Sequence, residues 1–214
     1  MVCYDRPMLP KNPKSRADFG LPSTAHLYAC PQTLFKFHPE FDELLARILR
    51  ADPRGILVLL EGRYPVWRET LWRRFESSLG ELRERIHVLP QVAREDYLNV
   101  LALTDVLLDP IHFGGGNSSY EGLAMGTPIV TLPTEYLRSR ITYALYRQMN
   151  FEDCIAASPD DYVRLAVELG TDSVRREAAR RRILESNAGI FGDREAIQEL
   201  EQFLRKAVNA ARRS

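Results

Sequence analysis

Apolar residues occur in two arrangements that alternate along the chain: short unbroken runs and helically spaced positions. The run at residues 55–60 reads Gly-Ile-Leu-Val-Leu-Leu and is typical of a buried parallel strand. Further strands are predicted at 25–28, 85–89, 105–109, 128–132 and 153–156. Helices are predicted at 38–49, 66–79, 94–103, 118–125 and 194–211. Because parallel strands need crossover connections, the alternation predicts an α/β fold: a Rossmann-like parallel sheet with helices on both faces.

The two ends of the chain differ from this alternating middle. Residues 1–24 are rich in proline and predict an extended leader. Residues 25–192 form the predicted ligand-binding lobe. Residues 193–214 predict a C-terminal helix, whose apolar positions share one side: Ile197, Leu200, Leu204 and Val208.

Composition excludes several classes of function. Lys plus Arg number 29 and Asp plus Glu number 29, so no bulk attraction to nucleic acid or an anionic membrane is expected. No apolar run is long enough to span a bilayer, and the N-terminus has no apolar signal core. The cysteines and histidines are scattered, which predicts no disulfide framework and no metal site: Cys3, Cys30, Cys154, His26, His38, His87 and His112. A cytoplasmic protein is expected.

A glycine-rich segment at residues 109–121 carries the clearest candidate chemistry. It follows a predicted strand, and ligands of such sheets bind beyond the carboxyl ends of the strands. Three glycines are expected to let the backbone turn freely and approach a ligand closely: Gly114, Gly115 and Gly116. The next residues are good helix caps whose amides would attract an anion such as a diphosphate: Asn117, Ser118 and Ser119. Glu121 could accept hydrogen bonds from ribose hydroxyls.

One other interpretation of this segment stays open on spacing alone. The segment lacks the Gly-Lys-Ser/Thr ending of a P-loop and the spacing of a dinucleotide fingerprint. A plain glycine-rich turn between a strand and a helix would have the same pattern.

The chain resembles a known family at several motifs. Leu108-Asp109-Pro110, residues 114–121 and residues 126–133 resemble the C-terminal catalytic lobe of the O-linked N-acetylglucosamine transferases, glycosyltransferase family 41, which includes the plant SPINDLY proteins. Residues 34–39 and 169–172 match further patterns of the family. The resemblance covers about residues 25–210.

This resemblance implies the C-terminal lobe of a GT-B glycosyltransferase, with the nucleotide sugar in a cleft between two lobes. It implies inverting transfer of N-acetylglucosamine from a UDP-sugar donor to Ser or Thr of a protein acceptor. No metal or other cofactor is expected. An N-terminal lobe with helical repeats, in the same or another chain, is the expected partner and would hold the general base.

The resemblance also assigns roles to individual residues. Lys36 matches a catalytic lysine that contacts the diphosphate, and Gln32 stands one position from the family's glutamine, where Thr33 is found. The uridine contacts fall at Val92, Arg94 and Tyr97. The phosphate and ribose contacts fall at Asn117, Ser118 and Glu121, while Gly116 replaces a histidine and leaves more of the binding to backbone amides.

Two other functions remain compatible with the sequence. A degenerate lobe could be a non-catalytic nucleotide-binding or interaction module. Another GT-B transferase could use a different nucleotide sugar, such as GDP-fucose.

Overall fold

A parallel sheet forms the centre of the computed structural model, which describes residues 3–212 (at position 196, the backbone alone). The strand order is β3-β2-β1-β4-β5, and every pairing in this sheet is parallel. The strands are β1 His26–Cys30, β2 Gly55–Leu60, β3 Ile86–Leu89, β4 Val106–Leu108 and β5 Ile129–Val130. This order confirms the predicted α/β, Rossmann-like class.

The central strands are buried because helices cover both faces of the sheet. Leu27 and Tyr28 of β1 and Leu57 of β2 are fully shielded from solvent. Tyr28 pairs with Leu57 on one side and with Val106 on the other, so β1 lies in the interior of the sheet. Unbroken apolar runs, rather than alternating ones, therefore encode these strands.

Helices follow the strands, and the five whose starts were predicted begin within one residue of those positions. The helices are α1 Pro39–Ala51, α2 Pro65–Ser78, α3 Arg94–Leu103, α4 Asn117–Ala124, α5 Ile141–Gln148, α6 Pro159–Thr171, α7 Ser173–Ser186 and α8 Glu195–Ala211. Short 3-10 turns lie at Arg16–Phe19, Leu34–Lys36, Gly80–Arg85, Leu137–Ser139 and Asn187–Ile190. Helix α1 shows why the prediction succeeded. His38 caps its N-terminus by accepting a hydrogen bond from the Glu40 amide, and Pro39 occupies the first turn.

The strand predicted at 153–156 is wrong in extent. Only one bridge forms there, between Thr131 and Ile155. It consists of two hydrogen bonds, from the Thr131 amide to the Cys154 carbonyl (3.1 Å) and from the Ala156 amide to the Thr131 carbonyl (2.8 Å). Asn150, with φ of 52°, precedes the bridge and α6 soon follows it, so the extended stretch is too short for a longer ladder.

The segment before β1 lies along the lobe, in contact with α3 and α4. The Tyr4 ring stacks on Tyr120 of α4 with a centroid distance of 4.8 Å. The Lys14 amide donates to the Asn99 side chain of α3 at 3.0 Å. This segment therefore has little regular structure of its own but many contacts. The domain limits proposed at residues 24 and 192 stay predictions.

Helix α8 presents its apolar side to solvent. Its exposed large apolar residues are Ile197, Leu200, Phe203, Leu204 and Val208. The predicted amphipathic helix is thus confirmed. Between residues 3 and 212, no helix combines the length and the apolar character that a membrane crossing requires.

Candidate functional site

A cleft of about 700 Å³ opens beyond the carboxyl ends of β1 and β4. These neighbouring strands mark the point where the strand order reverses, so the loops that follow them diverge and leave a crevice. Nine of the predicted site residues line this cleft: Gln32, Lys36, Val92, Arg94, Tyr97, Gly116, Asn117, Ser118 and Glu121. Parallel topology thus brings together residues that are far apart in the sequence.

Three predicted site residues lie behind the lining rather than in it: Gly114, Gly115 and Ser119. The Gly115 amide donates to the Asp109 carboxylate at 2.6 Å. The Ser119 hydroxyl, which is buried, pairs with the Thr142 hydroxyl of α5 at 2.7 Å. The polar groups of these residues bond to other parts of the protein and support the loop. Their direct contacts with a ligand stay predictions.

Lys36 connects the two loops that border the cleft. Its ammonium Nζ donates to the Gln32 Oε1 at 2.8 Å and to the Gly114 carbonyl oxygen at 3.0 Å. The same Nζ lies 4.4 Å from the centre of the Phe113 ring, which is a cation–π contact. Lys36 is therefore positioned by both loops, with its charge at the cleft.

The surroundings of Lys36 favour its neutral form more than water does. Burial lowers the pKa of Lys36 below the ordinary lysine value, and the charge of nearby Asp109 partly offsets this effect. A half-buried ammonium that lacks a direct ion pair is stabilised strongly when an anion binds beside it. The lysine is thus prepared for a negatively charged ligand.

Gln32 joins Lys36 to the start of α4. Its side chain is 7% exposed, accepts from Lys36 and donates from Nε2 to the Ser118 hydroxyl oxygen. Gln32 thus lies between Lys36 and α4. Its direct contact with a ligand stays a prediction.

Lack of space explains two of the three glycines of the loop, Gly114 and Gly115. A Cβ at Gly114 would lie 2.8 Å from both carboxylate oxygens of Asp109. A Cβ at Gly115 would overlap the Ser119 Oγ and lie 2.9 Å from the Ser118 Oγ, whereas one at Gly116 meets nothing within 4 Å. The described positive-φ glycines are Gly20, Gly80, Gly126 and Gly192, all outside this loop. None of the three loop glycines therefore has a left-handed backbone.

The start of α4 also differs from the predicted capping. Gly116 is the N-cap and makes no side-chain capping bond, while Asn117 is already the first helical residue. Asn117, Ser118 and Ser119 thus supply the first turn rather than its cap. The Ser119 amide bonds to the Gly116 carbonyl at 2.9 Å, but the N-terminal end of a helix carries partial positive charge, so this end of α4 still suits an anion.

Glu121 lies one turn into α4 and is nearly buried. Its Oε1 accepts from the Tyr4 hydroxyl at 2.9 Å and pairs with the Arg94 guanidinium at 2.7 Å. Burial and the neighbouring Glu121 charge raise the pKa of Tyr97, so this phenol stays protonated. Arg94, Tyr97 and Glu121 therefore form one polar corner of the cleft.

Two residues of the site were not found from the sequence. Asp109 is buried and accepts from Gly115 and from the Thr131 hydroxyl at 2.9 Å, which fixes the loop after β4. Burial raises the pKa of Asp109, and its hydrogen bonds oppose that shift. Tyr4 was missed because it lies in a stretch without periodicity. A carboxylate at the end of a buried strand was the one signal that could have indicated Asp109.

The fold brings histidines that are scattered in the sequence into contact with carboxylates. His26 lies 2.7 Å from the Asp52 carboxylate, and the His112 Nε2 lies 2.9 Å from Glu40. His38 also joins the second pair, since its ring centre is 4.3 Å from that of His112. These contacts join positions remote in sequence, so spacing could not indicate them.

Comparison with known proteins gives matches over most of the chain. The sequence profile described as glycosyl transferase family 41 matches residues 11–199. The UDP-N-acetylglucosamine--peptide N-acetylglucosaminyltransferase of Caenorhabditis elegans is 29% identical over 89% of this chain. A probable enzyme of the same name, SEC, from Arabidopsis thaliana is 27% identical over 79% of the chain.

Solved structures show the same fold. A lysine-to-methionine mutant of Thermobaculum terrenum O-GlcNAc transferase superposes with a TM-score of 0.78, at 27% identity, over 95% of this chain and 38% of that one. Anabaena HepE, in complex with UDP and glucose, has a TM-score of 0.64 at 12% identity, over 89% of this chain and 51% of that one, which shows the fold alone. These likenesses confirm the predicted GT-B type of lobe.

The chain spans a small part of its relatives. It covers 16% of the Caenorhabditis elegans protein and 17% of the Arabidopsis thaliana protein. Statements about the activity, substrates and partners of a whole enzyme are therefore proposals.

Proposed function

Because the chain belongs to glycosyl transferase family 41, we propose that its cleft binds the UDP-N-acetylglucosamine donor of a protein O-GlcNAc transferase. In this proposal the chain is the donor-binding lobe of an inverting, metal-independent, cytoplasmic enzyme. The names of the curated relatives specify both UDP and N-acetylglucosamine, which supports this choice of nucleotide and sugar.

One observation carries the proposal: a lysine and a helix start meet at the same cleft. The Lys36 ammonium is held by Gln32, and Gln32 also binds Ser118 in the first turn of α4. A positive charge and a helix N-terminus together favour a diphosphate over a neutral ligand. A glycine-rich turn without a lysine beside the helix start would bind an anion far more weakly.

The remaining lining residues extend from that anion position to a polar corner. The ribose hydroxyls are proposed to bind Glu121, whose carboxylate is held by Tyr4 and Arg94. The uracil ring is proposed to pack near Tyr97 and Val92, which line the same cleft. A cleft of about 700 Å³ falls within the range of small-molecule sites.

The proposed reaction breaks the bond between the anomeric carbon and the β-phosphate oxygen. The acceptor Ser or Thr oxygen attacks that carbon from the opposite face, which inverts its configuration. The electron pair of the broken bond goes to the departing UDP, and a base outside this lobe takes the hydroxyl proton. Lys36 and the first turn of α4 stabilise the negative charge that develops on the diphosphate.

These groups supply positive charge without a metal ion in the cleft. Among residues 3–212, the one group of three His, Cys or carboxylate side chains that converges is His38, Glu40 and His112. None of these three lines the cleft. In the proposal, the positive charge that faces the diphosphate comes from Lys36 and the first-turn amides of α4.

A partner lobe completes the proposed enzyme. The acceptor protein and the general base are assigned to an N-terminal GT-B lobe with helical repeats, in the same or another chain. The half-open cleft of this lobe is compatible with a second wall supplied by that partner.

A nucleotide panel and a transfer assay test the proposal. UDP should raise the melting temperature of the chain more than GDP or ADP does, with chelator present. Transfer of labelled N-acetylglucosamine to a peptide should require this chain together with a family N-terminal lobe. A larger shift with GDP would indicate a GDP-sugar donor instead. UDP binding without any transfer in the reconstituted pair would indicate a non-catalytic module.

A further inference from the structure

A group of metal-binding side chains lies beside the cleft, where the start of α1 meets the loop after β4. His38, Glu40 and His112 each offer one ligand atom, and these atoms all lie within 4.8 Å of one another. His38 and Glu40 belong to the first turn of α1 and its cap, whereas His112 follows β4. The side chains come from two separate parts of the chain, since Glu40 and His112 are 72 residues apart in the sequence.

We propose that His38, Glu40 and His112 form a binding site for a divalent transition-metal ion of the zinc class. Two imidazoles and one carboxylate are the ligand types that Zn²⁺ takes at sites with an open coordination position. Imidazole ligands distinguish such a site from the oxygen-only sites of Mg²⁺ or Ca²⁺. The inference rests on this geometry and not on the proposed donor site.

The present arrangement is close to that of a bound metal site. Zn²⁺ with ligands at about 2.0–2.1 Å needs tetrahedral ligand atoms about 3.3 Å apart. His112 Nε2 and Glu40 Oε2 are already 2.9 Å apart, so one pair needs only to open slightly. The Glu40 side chain is 66% exposed and that of His112 is 30% exposed, so the Glu40 carboxylate in particular has room to turn toward an ion.

Two features oppose binding and set its strength. The His38 Nδ1 accepts from the Glu40 amide at a long 3.3 Å, and a metal on this ring would weaken that cap. Arg138 donates from Nε to the His112 carbonyl at 2.9 Å and brings a positive charge near the site. We therefore expect an exchangeable site rather than a permanent one.

A bound ion would connect α1 to the loop that precedes α4. His112 lies two residues before Gly114, whose carbonyl holds Lys36. The ion would thus restrain the loop from its outer side, away from the cleft lining. Because binding occurs only in the folded chain, the ion should raise the melting temperature.

Titration of Zn²⁺ into the metal-stripped chain without an affinity tag tests the site. The wild type should bind one equivalent and melt at a higher temperature with the ion. His38→Asn, Glu40→Gln and His112→Gln should each weaken binding at least tenfold and reduce the thermal shift. Asn is a preferred N-cap, so His38→Asn keeps the start of α1 while removing the imidazole.

His87→Gln is the matched control, because His87 lies on β3, outside the group of ligands. It should bind Zn²⁺ as the wild type does. Equal binding by the wild type and all three ligand variants would overturn the proposal, as would the absence of any binding or shift in the wild type. UDP binding in chelator is measured separately, so failure of this site leaves the donor-site proposal untouched.

Discussion

The Lys36 ammonium lies 3.0 Å from the carbonyl oxygen of Gly114, which joins the loop after β1 to the loop after β4. Through Gln32 the same lysine is linked to Ser118 at the start of α4. These contacts place the lysine where both loops and the helix end converge. The lysine should therefore be the main charge partner of a diphosphate.

Lys36→Ala should weaken the binding of UDP much more than the binding of uridine. The substitution removes one charge-assisted hydrogen bond, worth about 1.5–3 kcal/mol, or about tenfold to a hundredfold in affinity. Uridine lacks the diphosphate, so its affinity should stay close to that of the wild type. Calorimetric titration of both ligands measures the difference, with Lys206→Ala on exposed α8 as the control. Equal losses for the two ligands would refute the role assigned to Lys36.

The affinity for UDP should fall in alkaline solution. Only the protonated Lys36 attracts the diphosphate, so binding is strong below its pKa and weakens as pH rises through that value. Burial lowers the pKa of Lys36 below the usual 10.5. The loss of UDP affinity should therefore begin at a lower pH than it would for a surface lysine. The guanidinium of Lys36→Arg stays charged throughout, and ionisation of the nucleotide affects both proteins equally. Parallel pH profiles for the wild type and Lys36→Arg would contradict the assignment.

Gly115→Ala should destabilise the chain more than Gly116→Ala does. A methyl group at Gly115 collides with the Ser118 and Ser119 hydroxyl oxygens, whereas one at Gly116 meets no atom within 4 Å. Overpacking of this kind costs about 1–3 kcal/mol. Denaturant unfolding of both variants compares their free energies of unfolding. Equal stability of the two would show that the loop is not packed as described.

Tyr4→Phe should lower the free energy of unfolding modestly, and Tyr4→Ala should lower it further. The first change removes the hydrogen bond to Glu121, worth about 0.5–1.5 kcal/mol, but keeps the ring on Tyr120. The second also removes the stack, worth about 0.5–1.5 kcal/mol beyond the area it buries. Thermal and denaturant unfolding report both effects. A Tyr4→Ala protein as stable as the wild type would mean that this segment does not pack on α4.

Local pattern predicted the sheet because its strands are buried on both faces and hence encoded as apolar runs. The run at 55–60 became β2 with the same limits, and the helix at 94–103 became α3. The 153–156 prediction failed because a short apolar stretch does not specify how long its ladder will be. Strand and helix identity is a local property, whereas strand length depends on the neighbours.

The site was predictable where topology alone brings residues together. Lys36 and Ser118 follow β1 and β4, and adjacent parallel strands place their carboxyl ends at one edge. Side-chain direction was not predictable, as Ser119 shows by binding Thr142 instead of facing the cleft. The contact between Glu40 and His112 was also hidden, since it depends on how a loop folds back on a helix start.

Thermal unfolding of the wild-type chain with UDP in the presence of a chelator tests the central claim most directly. If the cleft between Lys36 and α4 binds the diphosphate without a metal, UDP should raise the melting temperature in a saturable way. At a concentration 100 times its dissociation constant, UDP should add about 2.7 kcal/mol to the free energy of unfolding. No shift at millimolar UDP, with the chain folded, would contradict the proposed donor site.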